Sequence, residues 1–164
     1  MTRPILRDII IHNFGDNMNF NDICEYDDGL LFKKGTKHVY GYVDMYGYIQ
    51  VHINHKTYRA HRVIWEMLKG SIPDGYVIDH IDGNKCNNRI SNLRLATAEQ
   101  NNANSEGFSK LGMPKGVKAH RNKFQARIGY KGIQYHLGTF NTIDEAKEAY
   151  DIKALELNGE FAKA

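Results

Sequence analysis

Four polar residues within a stretch of 23 positions have the side chains needed for a hydrolytic reaction. Asp79 and His80 are adjacent, Asn92 follows His80 by twelve residues, and Asn101 follows Asn92 by nine. A neutral imidazole is a suitable general base near pH 7. The carboxylate and amide oxygens of Asp79 and Asn101 are ligands that a hard divalent cation such as Mg²⁺ prefers. Phosphodiester hydrolysis needs such a base, and it needs a cation to offset charge on the phosphate.

The surrounding residues predict a strand, a loop, a second strand and a helix. A β-branched apolar run leads into the Asp79-His80 pair, and residues 92–95 alternate as a second strand does. Thr97, followed three residues later by Gln100, is the capping-box pattern of a helix start. A hairpin packed on this helix is able to bring Asp79 and a helix residue together.

This stretch, 77–102, resembles the ββα-metal site of HNH endonucleases, in the subgroup of phage and intron homing enzymes. The resemblance implies that His80 is the general base, that Asp79 and Asn101 hold the metal, and that Asn92 braces the loop carrying His80. Asn stands in the third position of the motif, where other HNH proteins have His. The alternative reading is an Asn-rich polar loop beside a buried histidine. The matching residues are Asp79-His80-Ile81-Asp82-Gly83-Asn84, Asn87-Asn88, Asn92-Leu93-Arg94 and Asn101.

The cofactor that the resemblance implies is a divalent cation, Mg²⁺ with Mn²⁺ as the alternative. Zinc is not expected, because Cys24 and Cys86 are far apart and form no C-x-x-C pair for a Cys₄ site. We interpret Cys86, inside the motif, as a small filling residue. A disulfide is not expected in a reducing cytoplasm.

Length and composition indicate a cytoplasmic globular protein of one ordinary or two small domains. The chain has 164 residues, of which 41% are hydrophobic and 25% charged. No apolar run is long enough for a membrane span, and the N-terminal residues lack a secretory layout. The net charge is only +3, but residues 107–143 contain seven Lys or Arg and no Asp or Glu. This asymmetry predicts one basic face, as in nucleic-acid-binding proteins.

The predicted fold class is α+β in two domains. An HNH nuclease domain with a β-rich N-terminal extension spans residues 1–106, a linker spans 107–114, and a DNA-binding domain spans 115–164. For residues 1–25 a short helix and an edge strand are equally compatible with the sequence. Strands and a hairpin are predicted between residues 23 and 60, and helical spacing is predicted over 61–69, with Gly70 as the stop. Arg59 and His61, which come before and at the start of this helix, are candidates for contact with the DNA backbone.

The C-terminal residues predict three short strands followed by an amphipathic helix. The strands are 117–120, 123–128 and 133–137, and Thr142 with Glu145 forms a second capping box. This half resembles an AP2 (ERF-type) DNA-binding domain, through Gly116-Val117, residues 124–128, Leu137-Gly138-Thr139-Phe140, Glu145-Ala146, Ala149-Tyr150-Asp151 and residues 158–162. The resemblance implies DNA contacts from one sheet face. The candidates are Arg121, Lys123, Gln125, Arg127, Tyr135 and His136.

Together the two resemblances predict a metal-dependent endonuclease acting on double-stranded DNA. The sequence leaves open whether the protein is a monomer or a homodimer, and whether it nicks one strand or cuts both. Two other readings compete. One is a DNA-binding regulator whose nuclease half is inactive, and the other is an RNA-binding module that uses the tyrosines of residues 40–58 for base stacking.

Overall fold

The computed structural model describes residues 18–105 and 112–163. The prediction for residues 1–17, and most of the predicted linker at 107–114, therefore lie outside the described residues. The elements, in chain order, are β1 (Cys24–Asp27), β2 (Leu30–Lys33), β3 (Tyr42–Val43), β4 (Ile49–Ile53), β5 (Lys56–Arg59), α1 (Ala60–Lys69), β6 (Tyr76–His80), β7 (Leu93–Thr97), α2 (Ala98–Asn104), β8 (Val117–His120), β9 (Lys123–Tyr130), β10 (Ile133–Phe140) and α3 (Ile143–Asn158). Short 3-10 turns occupy Phe20–Asp22, Ile90–Asn92 and Gly159–Phe161.

The strands form four small antiparallel sheets in the described residues. Strands β1 and β2 make a hairpin, β3, β4 and β5 make a three-stranded sheet, and β6 pairs with β7. The fourth sheet has the order β10-β9-β8. The mixed helix and strand content agrees with the predicted α+β class. In these ranges, none of the helices is long and apolar enough to cross a membrane.

Helix α1 is the centre of the N-terminal core. Its apolar residues recur at helical spacing, so Val63 and Ile64 are buried in a core to which β4, β5 and β6 also contribute. The helix ends at Gly70, whose φ of +89° is accessible to glycine at little cost. The predicted helix 61–69 and its stop are therefore confirmed.

The C-terminal sheet packs one face against α3. The small side chains of Ala126 and Ala146 are fully buried where β9 meets the helix, and Tyr150 packs with Ile128 and Ala154. Both predicted capping boxes, at Thr97 and Thr142, are formed. Strands β9 and β10 run to residues 130 and 140, which is beyond the predicted bounds because the hairpin pairing continues to the turn and past the bulge after His136.

The fold predicts unequal costs for two substitutions on α1. Ile64 is 0% exposed, whereas Leu68 is 45% exposed. Ile64→Ala should lower the free energy of unfolding by about 3 kcal/mol, because it leaves a cavity in the core. Leu68→Ala should lower it by less than about 1 kcal/mol. Urea denaturation followed by circular dichroism measures both, and equal losses would contradict this placement of the helix.

Candidate active site

The Asp79-His80 pair lies at the buried end of β6. Strand β7 pairs with it in antiparallel register, which places Arg94 opposite Asp79 and Leu93 opposite His80. Asp79 is 4% exposed and His80 is 5% exposed. Since charged and polar groups are buried only when they have partners, the contacts of these two side chains determine what the site can do.

His80 is held by an asparagine from the loop between β6 and β7, residues 81–92, which we call the motif loop. Its Nε2 lies 2.9 Å from Oδ1 of Asn88, an amide oxygen that accepts a hydrogen bond. With the Asn88 amide in this orientation Nε2 is the donor, and Nδ1 keeps the lone pair that a general base needs. Burial lowers the pKa of His80, although Asn88, Asp82 and Asp79 each act in the opposite direction. The imidazole is consequently neutral at pH 7, the state in which it accepts a proton.

Asn92 braces the motif loop between the two strands. Its Nδ2 donates to Oδ1 of Asp82 at 2.9 Å and to the carbonyl of Asn87 at 2.8 Å, and its Oδ1 accepts from the Asp82 amide at 3.1 Å. The loop ends at Asn92 in a 3-10 turn, so β7 begins at Leu93, one residue later than predicted. The side chain thus joins the two ends of the loop that carries Asn88.

Asp79 has two donors, one from β7 and one from α2. Nε of Arg94 donates to Oδ2 at 2.9 Å, and Nδ2 of Asn104 lies 3.0 and 3.1 Å from the two carboxylate oxygens. Asn104 also donates to the carbonyl of His80 at 2.7 Å. Asn101 was predicted as a second ligand to the metal, and that role stays a prediction. Asn101 lies one helical turn earlier on α2, and no hydrogen bond joins it to Asp79 in the structure.

The residues near Asp79 suit a hard cation in their chemistry. A carboxylate has about four lone-pair positions, and Arg94 and Asn104 use three of them. Asn101 is half-buried on the same helix and offers an amide oxygen. Within residues 18–105 and 112–163, no group of three His, Cys, Asp or Glu side chains could hold a metal. The candidate ligand set is therefore Asp79 with an amide oxygen of α2.

His61 lies inside the site. Its ring packs against those of Tyr48 and His80, with centroids 5.5 and 4.9 Å away, and it is 3% exposed. The enclosed ring supports the His80 ring, and contact between His61 and DNA stays a prediction. Arg59 comes just before α1, and its guanidinium stacks 4.1 Å from the centroid of Tyr48.

The residues of the C-terminal sheet that were predicted to contact DNA lie on two different faces of that sheet. Lys123, Gln125 and Arg127 alternate with residues that pack on α3, so they share the face away from the helix. His136 is paired with Arg127 and lies on this same face, whereas Tyr135 is paired with the buried Ile128. Tyr135 packs on the face of the sheet that α3 covers, so the prediction that it contacts DNA is wrong.

Arg121 extends this exposed face at the turn between β8 and β9, where its φ is +56°.

Cys86, predicted to fill space, is exposed instead. Its Sγ donates to the carbonyl of Gly47 at 3.3 Å, which ties the motif loop to the turn before β4.

Sequence reasoning missed Asn88, Arg94 and Asn104 as site residues. Each left a signal. Arg94 follows from the hairpin register once Asp79 is placed, and Asn104 lies three residues after Asn101, on the same helix face. The buried role of Asn88 depends on how the loop closes, which no spacing rule gives.

Known proteins match the part of the chain that builds this site. A family model described as HNH endonuclease matches residues 58–103. The HNH endonuclease L560 of Acanthamoeba polyphaga mimivirus is 41% identical over 106 residues, which cover 63% of this chain and 55% of that protein. Protein 3.8 of Escherichia phage T7 is 32% identical over 116 residues, 66% of this chain and 92% of that protein. The chain belongs to the HNH endonucleases.

Two further matches concern the homing subgroup and the C-terminal half. A solved structure of DNA binding and cleavage by the HNH homing endonuclease I-HmuI aligns with a TM-score of 0.41 and 28% identity, over 47% of each chain. The AP2-like ethylene-responsive transcription factor AIL5 of Arabidopsis thaliana is 45% identical over 60 residues. That match covers 34% of this HNH endonuclease and 11% of the plant protein, so the AP2 assignment stays a prediction.

The burial of His61 predicts a specific pH dependence of stability. Burial, and to a smaller extent the charge of His80, holds the pKa of His61 well below 6.5. Below pH 6.5, His61 therefore binds a proton in the unfolded chain but stays neutral in the folded protein. The free energy of unfolding consequently falls as the pH drops toward the pKa of folded His61. His61→Gln should make the free energy of unfolding less dependent on pH between 6.5 and 5, by up to about 1.4 kcal/mol per pH unit.

Urea denaturation at pH 7.5, 6.5 and 5.5 measures this difference. The matched control is His55→Gln, because His55 is exposed in the turn between β4 and β5. An unchanged pH dependence in the His61 variant would contradict the buried, neutral state of this ring.

Proposed function

We propose that this chain is a metal-dependent DNA endonuclease of the homing type, which hydrolyses phosphodiester bonds in double-stranded DNA. The observation that carries the proposal is the buried His80 imidazole, held through Nε2 by Asn88, beside the buried carboxylate of Asp79. Membership of the HNH endonucleases supports the same chemistry. A general base next to a carboxylate that can hold a cation is the minimum that this reaction needs.

In the proposed reaction His80 accepts a proton at Nδ1 from a water molecule that attacks the phosphorus in line. Asn88 keeps the ring in the tautomer that leaves Nδ1 free. Asn92 keeps the loop closed by bonding its two ends. His61, at 4.9 Å from the His80 ring, limits the rotation of that ring.

Asp79, with Asn101 or Asn104 of α2, would hold the divalent cation. We assign Mg²⁺, with Mn²⁺ as the alternative, because carboxylate and amide oxygens suit hard cations. When bound, such a cation would offset charge on the scissile phosphate and on the leaving 3′ oxygen. Arg94 forms an ion pair with the same carboxylate, so its guanidinium already neutralises part of the charge that would attract the cation.

For the C-terminal sheet we propose an AP2-like role in binding and positioning duplex DNA. Lys123, Arg127 and His136 are exposed on the face that α3 leaves open, and Gln125 lies between them. A small antiparallel sheet with Arg and Gln on its open face can enter the major groove and read guanine and adenine there. Arg121 at the adjoining turn adds a further cation to this face.

The competing proposal is a DNA-binding regulator with an inactive nuclease half. The contacts among Asp79, His80, Asn88 and Asn92 favour an enzyme, because a buried histidine with a shifted pKa beside a buried carboxylate is typical of functional sites. The number of strands cut separates a monomer that nicks from a dimer that cuts both strands. A cytoplasmic location stays a prediction.

Cutting of supercoiled plasmid in Mg²⁺ tests the nuclease proposal. We expect relaxed or linear product that vanishes with EDTA, and His80→Ala should lower the rate by at least about 100-fold, because the general base is lost. DNA affinity in a gel-shift assay should not change. Tight binding without any cutting would favour the regulator, and parallel loss of cutting and binding in His80→Ala would remove the assigned role.

The salt dependence of binding tests the proposed sheet face. Arg127→Ala should reduce the slope of log affinity against log salt by about 0.9 if Arg127 contacts one phosphate. Lys147→Ala is the matched control, since it removes the same charge from α3, on the opposite side of the sheet. Equal slopes for Arg127→Ala and wild type would argue against this face, and parallel experiments with duplex RNA would test the RNA-binding alternative.

A further inference from the structure

The hairpin of β1 and β2 lies outside the part of the chain that the family model matches, yet it contacts the motif loop. The family match begins at residue 58, whereas the hairpin covers residues 24–33. Its turn, Asp28 and Gly29, meets the loop at Arg89, the residue that follows Asn88. Asn88 in turn holds Nε2 of His80.

Arg89 and Asp28 form a two-point ion pair. Nε of Arg89 donates to Oδ1 of Asp28 at 2.8 Å, and Nη2 donates to Oδ2 at 2.7 Å. These hydrogen bonds lower the pKa of Asp28, so the carboxylate stays charged at neutral pH. The two parallel bonds fix the direction of the guanidinium as well as its distance, which a single contact does not do.

Two further contacts hold the backbone on either side of Arg89. The amide of Ile90 donates to the hydroxyl of Tyr26 at 3.1 Å. Gly29, with φ of +90°, lies so close to the loop that a Cβ there would be 2.9 Å from the Arg89 nitrogen and 3.3 Å from the carbonyl carbon of Asn88. The hairpin therefore constrains residues 88–90 through one side chain and through two points of the main chain.

Asn88 is the only link between this segment and His80 among the hydrogen bonds of the described residues. Its side chain is 1% exposed, and its Nδ2 has no hydrogen-bond partner there, so its position is set by the main chain around it. A shift of the segment 88–90 would move Oδ1 of Asn88 away from Nε2 of His80. His80 would then no longer be held in the tautomer that is protonated at Nε2.

We propose that the β1–β2 hairpin positions the general base, with Asp28 acting through Arg89 and Asn88 on His80. Asp28 and Arg89 are positioning residues, because neither touches the reacting atoms. This inference rests on the proposed nuclease function. It gives the N-terminal extension a role in catalysis that its sequence did not indicate.

The exposure of the pair makes the proposal testable without unfolding the protein. The side chains of Arg89 and Asp28 are 56% and 67% exposed, and ion pairs at such positions contribute little to stability. Asp28→Asn is the best variant, because Asn tolerates the positive φ of +43° at this position. Asp28→Asn removes a negative charge, which cannot weaken the electrostatic attraction to DNA. A rise in KM through weaker electrostatic binding is therefore excluded.

The first experiment compares plasmid nicking by wild type, Asp28→Asn and Arg89→Ala, with Lys147→Ala as a control for loss of an exposed ion pair. We expect kcat to fall about tenfold in Asp28→Asn with KM unchanged, since small misplacements of a catalytic group cost this much or more. Arg89→Lys should recover part of the loss in Arg89→Ala. Full kcat in Asp28→Asn, with a raised KM only in Arg89→Ala, would show that Arg89 binds DNA directly and would overturn the proposal.

The second experiment does not require cutting. Nitrogen-15 NMR of the imidazoles distinguishes the two neutral tautomers, and wild-type His80 should have its proton on Nε2. Asp28→Asn, Arg89→Ala and Asn88→Ala should each shift His80 toward a mixture, whereas Lys147→Ala should not. An unchanged tautomer in the first two would overturn the positioning role. An intact tautomer effect in a protein that cuts no DNA would instead reject only the nuclease function.

Discussion

The buried carboxylate of Asp79 is the constraint on which the site depends. A carboxylate that is 4% exposed is costly unless charged or strongly polar donors surround it. Strand β7 supplies Arg94 and helix α2 supplies Asn104, and both donate to it directly. The strand pair and the helix must therefore pack together before this charge is tolerable, so the element order strand, loop, strand, helix is an electrostatic requirement as well as a topological one.

Arg94 extends this constraint to the C-terminal half. Its Nη1 donates to the carbonyl of Glu160 at 2.8 Å, and its guanidinium lies 4.0 Å from the centroid of Phe161. Lys115 makes a second connection, because its ammonium donates to the carbonyls of Asn102, Ala103 and Ser105 at the end of α2. A cation at a helix C-terminus is favourable. Segments on either side of the C-terminal sheet and helix therefore contact both elements that hold Asp79.

Periodicity and capping rules predicted much of the fold. The helix of residues 61–69, both capping boxes and the C-terminal strands left local signals, because each depends on neighbours within a few positions. The site was predicted less fully. The roles of Asp79, His80, Asn92 and Asn101 stay predictions, and the contact of Asn104 with Asp79 was not predicted, because it depends on how far α2 rotates against β6. Tyr135 was assigned to the wrong face, since the turn that sets the β9–β10 register decides which side a strand residue faces.

If Asp79 holds the catalytic cation and His80 acts as the base, the two roles should separate in one binding measurement. Electron paramagnetic resonance of Mn²⁺, titrated into protein with duplex DNA, tests this in the His80→Ala background, where the DNA stays uncut. We expect His80→Ala to bind Mn²⁺ beyond what the DNA alone binds, and adding Asp79→Ala should abolish this excess, as a cation site at Asp79 requires. Equal Mn²⁺ binding with and without the Asp79 carboxylate would contradict it.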